Sequence, residues 1–132
     1  MRSTPIKAIR IIFYLFLLLF MLWSCASTVD PHSPDLEKVE YFQLSYEALD
    51  NNNYDLAISY YQAFKEKFPE DIDGNTWADY EIAFIYHKKG DNSKSLELFQ
   101  ALLAKYEEAP ADSMPQGPKV LAQKVMEKIN QE

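Results

Sequence analysis

Residues 38 to 69 read KVEYFQLSYEALDNNNYDLAISYYQAFKEKFP, and this stretch decides the fold. Tyr41, Leu44, Ser45 and Ala48 recur at the spacing of one helix face. Asn51-Asn52-Asn53 breaks the pattern with turn residues, after which Tyr54, Ala57, Tyr61 and Phe64 resume it. Pro69 lacks the N–H that an α-helix needs and stops the second run. The expectation is a pair of antiparallel helices. Ser45 and Ala57 are small because helices that cross closely leave no room for a longer side chain, while Tyr41, Leu44, Tyr54 and Tyr61 fill the space around the crossing.

A second unit follows the same plan. Thr76-Trp77-Ala78-Asp79 has the form of a capping box and puts a helix start at Thr76. Ile82, Ala83 and Tyr86 continue one face, and Lys89-Gly90-Asp91 makes the turn. Ser95, Phe99 and Leu102 each stand 38 residues after Ala57, Tyr61 and Phe64, and Pro110 ends the helix. Between the units, EDIDGNT reads as a polar linker. After a break rich in proline, residues 118–131 place Leu121, Ala122, Val125, Met126 and Ile129 on one face and charges on the other. Such a helix caps the stack, or else it lies detached on a membrane or a partner.

The first unit resembles a tetratricopeptide repeat, in which an aromatic, Leu-Gly and a tyrosine mark the first helix and Tyr, Ala, an aromatic and a final Pro mark the second. Tyr41, Leu44, Tyr54, Ala57, Tyr61 and Pro69 meet that pattern, with Ser45 and Ala48 in the glycine and tyrosine places. The resemblance implies an all-α fold: two helix hairpins at 38–71 and 76–109 plus a capping helix at 118–131, a fragment of a right-handed α-solenoid within a domain of residues 36–132. The 38-residue step exceeds the family's 34, and the excess falls in the linker. It also implies a concave groove lined by Phe42, Tyr46 and Leu49 from the first repeat and by Trp77, Tyr80, Phe84 and His87 from the second. Some members hold a terminal carboxylate there with lysines and asparagines; these places are aromatic or apolar, so that clamp is missing. The competing expectation is that several rings pack on the cap or on a neighbouring helix. Solenoids usually need three repeats, so two point to a partner or to self-association.

The N-terminus has its own logic. Ile11 to Trp23 is an apolar run of 13 residues, preceded by Arg2, Lys7 and Arg10 and by no acid. A basic start and a short apolar run are the profile of a signal peptide, too short as a helix for ~30 Å of hydrocarbon. Leu22-Trp23-Ser24-Cys25 resembles the lipobox of bacterial lipoproteins, although Trp23 is bulkier than usual at its place. That resemblance implies cleavage of residues 1–24 and fatty acylation, palmitate included, of Cys25, the only cysteine. The alternative is an uncleaved anchor extended through Ser24 to Val29. Residues 25–35, polar and proline-containing, form a tether, and Ser33-Pro34 is the expected helix start. Neither Ala26 nor Ser27 is the aspartate that retains some lipoproteins in the inner membrane, so the outer membrane facing the periplasm is expected, with inner-membrane anchoring as the alternative.

Charge and chemistry narrow the function. The formal charge is −7; loss of residues 1–24 removes three of 13 basic residues and none of 20 acids, leaving −10. Such a surface repels nucleic acid. His32 and His87 fit no metal-ligand spacing, no glycine-rich phosphate loop occurs, and the carboxylates show no acid–base pairing. A non-enzymatic binding protein without cofactor or metal is expected. Small tetratricopeptide lipoproteins include the outer-membrane assembly lipoprotein and the Tol-Pal coordinators, which suggests an envelope scaffold binding another envelope protein or peptide segment. An accessory subunit of an envelope transporter or secretion system is the second reading.

Overall fold

The computed structural model describes Tyr14, residues 28–110 and residues 113–131. The chain divides into two compact units, Met1–Asp30 and Pro31–Glu132. In the first unit only Tyr14, which is helical and exposed, and residues 28–30 are described. Apart from Tyr14, the expected signal segment and Cys25 lie outside the described residues. None of the described helices is long and apolar enough to cross a membrane.

The described part of the second unit contains five helices and no strand: α1 (Lys38–Asp50), α2 (Tyr54–Lys67), α3 (Ile72–Lys88), α4 (Asn92–Glu108) and α5 (Gln116–Ile129). Each packs chiefly on its neighbours in sequence, α1 with α2, α2 with α3 and α3 with α4, while α5 folds back on α4 and α3. That chain of neighbour contacts is the habit of a solenoid.

The two hairpin turns repeat one backbone hydrogen-bond pattern. Asn52 at φ 56° and Gly90 at φ +82° hold the left-handed positions, which glycine and asparagine tolerate best. The following residues, Asn53 and Asp91, cap the next helices by accepting from the N–H of Leu56 and Lys94. Their own N–H groups donate back to the carbonyls of Ala48 and Tyr86, closing the preceding helices. Where α1 meets α2, Ser45 is fully buried; its hydroxyl donates to the Tyr41 carbonyl at 2.7 Å, and the Ala57 carbonyl of the facing helix lies 3.4 Å from the same oxygen. Ala57 and Ala83 have no exposed surface, as small residues at close helix contacts should.

Three expected helix starts are corrected. Ser33-Pro34 does not begin α1. Residues 31–35 form turns and α1 starts at Lys38, because Leu36 is drawn into the core and the Lys67 ammonium binds the Pro34 and Leu36 carbonyls. Glu40 then accepts from the Glu37 N–H at 2.6 Å, closing the N-terminus. Thr76 does not begin α3 either. Asp71 caps that helix by accepting from the Gly74 N–H at 2.9 Å, so most of EDIDGNT is helix, not linker. Thr76 is buried one turn in, its hydroxyl donating to the Ile72 carbonyl. The last helix starts at Gln116, with Pro118 inside its first turn, where the missing N–H costs nothing.

Two apolar clusters result. One centres on Tyr41, Tyr60, Tyr61, Phe64 and Ile85 and joins the first hairpin to α3. The other gathers Tyr80, Ala83, Phe99, Leu102 and Ala122. The last helix is therefore no detached amphipath: Ala122, with no exposed surface, sits in the second cluster with Val125 and Met126 against it.

Candidate functional site

The helix spacing of Trp77, Tyr80 and Phe84 puts three rings on one side of α3. Trp77 meets Tyr80 edge-on at 6.0 Å, and Tyr80 stacks on Phe84 at 6.0 Å with the planes 9° apart. These rings and Glu81, with Tyr46 and Leu49 from α1 and Leu121 from α5, wall a cleft of about 400 Å³. Asp50, Asn52, Tyr54 and Lys88 complete its lining. Tyr46 is 48% exposed and Leu121 37%, large surfaces for such side chains.

Five of the seven expected groove residues, Tyr46, Leu49, Trp77, Tyr80 and Phe84, line this cleft. Tyr80 offers little surface, because it is 7% exposed and tilts against Phe99. The cleft does not include Phe42, whose ring meets Tyr61 and Phe64 edge-on at 5.2 and 5.0 Å and so serves the first hairpin's core. His87 does not line the cleft either; its Nδ1 lies 2.7 Å from Oδ1 of Asn92, the first residue of α4.

Glu81 was not among the expected residues. Three before Phe84 and four after Trp77, it belongs to the same helix side as the rings, and that spacing is the signal that could have found it. Tyr46 donates to its Oε1 at 3.2 Å across the gap between α1 and α3. Burial pushes the carboxyl above the usual carboxylate range, with the Tyr46 hydrogen bond pulling the other way. Burial first, and then the Glu81 charge, raise the Tyr46, Tyr61 and Tyr80 phenols as well, Tyr61 furthest. All three phenols therefore remain neutral, and of them Tyr46 is the one that donates to the carboxylate.

The family of both hairpins follows from comparison with known proteins. The sequence profile of the tetratricopeptide repeat matches residues 44–71 and 77–109. Both hairpins are tetratricopeptide repeats. An uncharacterized protein of Treponema pallidum (strain Nichols) is 30% identical over 118 residues, covering 86% of this chain; the chain spans only 45% of that protein's length. No solved structure matches the chain.

The second repeat departs instructively from the first. Asp79 stands 38 residues after Tyr41, in the place of the repeat's leading aromatic. Instead of a ring it supplies a carboxylate that takes Lys65 of α2 and Lys105 of α4, tying the three helices together. The position of Gln43 in the first repeat corresponds likewise to Glu81. Gln43 sits on the surface and bonds Glu47 of its own helix, whereas Glu81 faces the cleft. Tetratricopeptide repeats commonly serve as scaffolds for protein contacts, and the side chains of this cleft supply apolar area and a charge. Among the described residues, no group of three or more His, Cys, Asp or Glu is arranged to hold a metal.

Proposed function

We infer that the chain is a membrane-tethered interaction scaffold of a bacterial cell envelope, which holds a segment of another envelope protein in the cleft between α1 and α3. The observation that carries this reading is the cleft itself: both repeats contribute rings to one concavity, and Tyr46 and Leu121 leave apolar surface open there. Aromatic surface at the centre of a contact is a frequent source of binding energy. Tethering rests on LWSC at residues 22–25 after the apolar run. Cleavage before Cys25 and acylation would leave residues 25–35 as a polar spacer from the lipid, with the outer membrane as the destination. Multiple acyl chains hold where a single one is marginal.

Alanine at the exposed Tyr46 or at Phe84 tests the groove. Partner binding should weaken by ~2 kcal/mol while helix content stays normal; binding that falls only in step with unfolding would return these rings to the core. Labelled fatty acid tests the tether. It should enter the wild-type protein and not Cys25→Ala, and an unlabelled wild type retaining residues 1–24 would replace the lipid with an uncleaved anchor.

A further inference from the structure

Resting on the groove reading above, we propose that the cleft recognises a basic side chain, a lysine or arginine, presented by the partner's polypeptide segment, with Glu81 as its counter-charge and Tyr46, Trp77 and Phe84 as its aromatic walls. Three observations converge on Glu81. It is a partly buried carboxylate among rings, it accepts from the Tyr46 hydroxyl at 3.2 Å, and no cation of the described residues forms an ion pair with it. Its neighbour Asp79, two residues away, shows the contrast: that carboxylate is satisfied by Lys65 and Lys105. A carboxylate held among apolar groups without a cation is costly to the free protein, and a cation arriving with a ligand removes that cost. The rings favour the same occupant, because aromatic faces attract ammonium and guanidinium groups. The chain shows this attraction within the cleft's own lining, where the Lys88 ammonium lies 5.7 Å from the centre of the Phe84 ring. Asp50 adds a second negative charge to the lining, and the formal charge of −7 draws basic segments from a distance.

The experiment is selection of a random peptide library displayed on phage against the full chain, in parallel with the Glu81→Gln variant. Glutamine keeps the acceptor for Tyr46 and removes the charge. Wild type should enrich peptides with lysine or arginine at one fixed place among apolar residues, and the variant should lose that preference. For one selected peptide, changing its arginine to citrulline should weaken binding to wild type by about tenfold and hardly alter binding to Glu81→Gln. Thermal unfolding of the variant should occur no lower than that of wild type, which separates loss of recognition from loss of fold. Selected peptides that bind the cleft without a basic residue, that carry acidic residues facing Lys88, or that bind both proteins alike would overturn the cation proposal and leave the groove standing. If no peptide is enriched, or if enriched peptides ignore Tyr46→Ala and Phe84→Ala, the groove reading falls and the cation proposal with it.

Discussion

Gly74→Ala should destabilise the domain, although helix propensity alone demands the opposite. Gly74 lies in the first turn of α3, and a methyl there would stand 2.4 Å from Cζ and 2.8 Å from Cε1 of Phe64, where carbon atoms rest comfortably at about 3.5–4.0 Å. The ring cannot yield easily. It is 1% exposed and boxed by Phe42 at 5.0 Å, Phe68 at 5.3 Å and Tyr41 at 6.1 Å. Alanine in place of helical glycine gains up to ~1 kcal/mol, and overpacking a core costs ~1–3 kcal/mol. The net is a loss of up to ~2 kcal/mol, at about 4–8 °C in Tm per kcal/mol for a domain of this size. Urea and thermal unfolding followed by circular dichroism would read it. Phe64→Leu deletes the obstructing ring atoms, so the double variant should be less damaged than the two single losses added together, by ~1 kcal/mol. If Gly74→Ala raises Tm, residues 70–76 are the solvated linker that their composition suggests and α3 does not begin on Phe64.

Other expectations follow from the same packing. Ala57→Leu and Ala83→Leu, at positions with no exposed surface, should each cost ~1–3 kcal/mol, whereas Lys94→Ala removes an exposed ion pair with Glu97 and should leave the unfolding midpoint almost unchanged; equal unfolding midpoints for all three would refute the helix contacts. Gly90→Ala forces a side chain into φ +82° and should lose ~1–2 kcal/mol, while Asn52→Gly at the matching turn should be neutral or stabilising; the reverse order would deny that the turns are equivalent. Glu81 carries a pH signature. Its carboxyl is raised by burial, so the ionised form costs stability above the usual carboxylate range, and that cost disappears as pH falls through the raised value. The groups facing it, Tyr46, Tyr61 and Tyr80, stay neutral across that window. Glu81→Gln should therefore be more stable than wild type at neutral pH and lose the advantage toward about pH 4. Asp71, lowered by its Lys38 hydrogen bond, works in the opposite sense, but equally in both proteins. A stability difference that grows on acidification would contradict the assignment.

The hairpins were legible in the sequence because their determinants are local. Small residues at Ser45 and Ala57, rings at three- and four-residue steps, and the matching turns at Asn51–Asn53 and Lys89–Asp91 all agree with one another. The start of α3 was not, because Thr76-x-x-Asp79 and Asp71-x-x-Gly74 offer capping chemistry of similar quality. What chooses between them is the fit of Gly74 against Phe64, a contact between helices that no local pattern records. The same division runs through the cleft. The stripe of Trp77, Tyr80 and Phe84 follows from helical spacing, whereas Phe42 is turned into the core by Tyr61 and Phe64. Glu81 reads in isolation as a solvated helix charge. It becomes a cleft residue only because Tyr46 arrives from 35 residues away.

The groove between α1 and α3 is tested most directly by contact mapping in cells. A photo-crosslinking residue placed at Tyr46, at Leu121, or at the exposed Gln62 of α2, which does not line the cleft, would report what touches each surface of the full chain. A discrete adduct with one envelope protein from Tyr46 and Leu121, absent from Gln62 and abolished by Phe84→Ala, is the expected result. Adducts of equal strength from Gln62, or none from the two cleft positions while Gln62 reacts, would place the binding surface elsewhere on the domain.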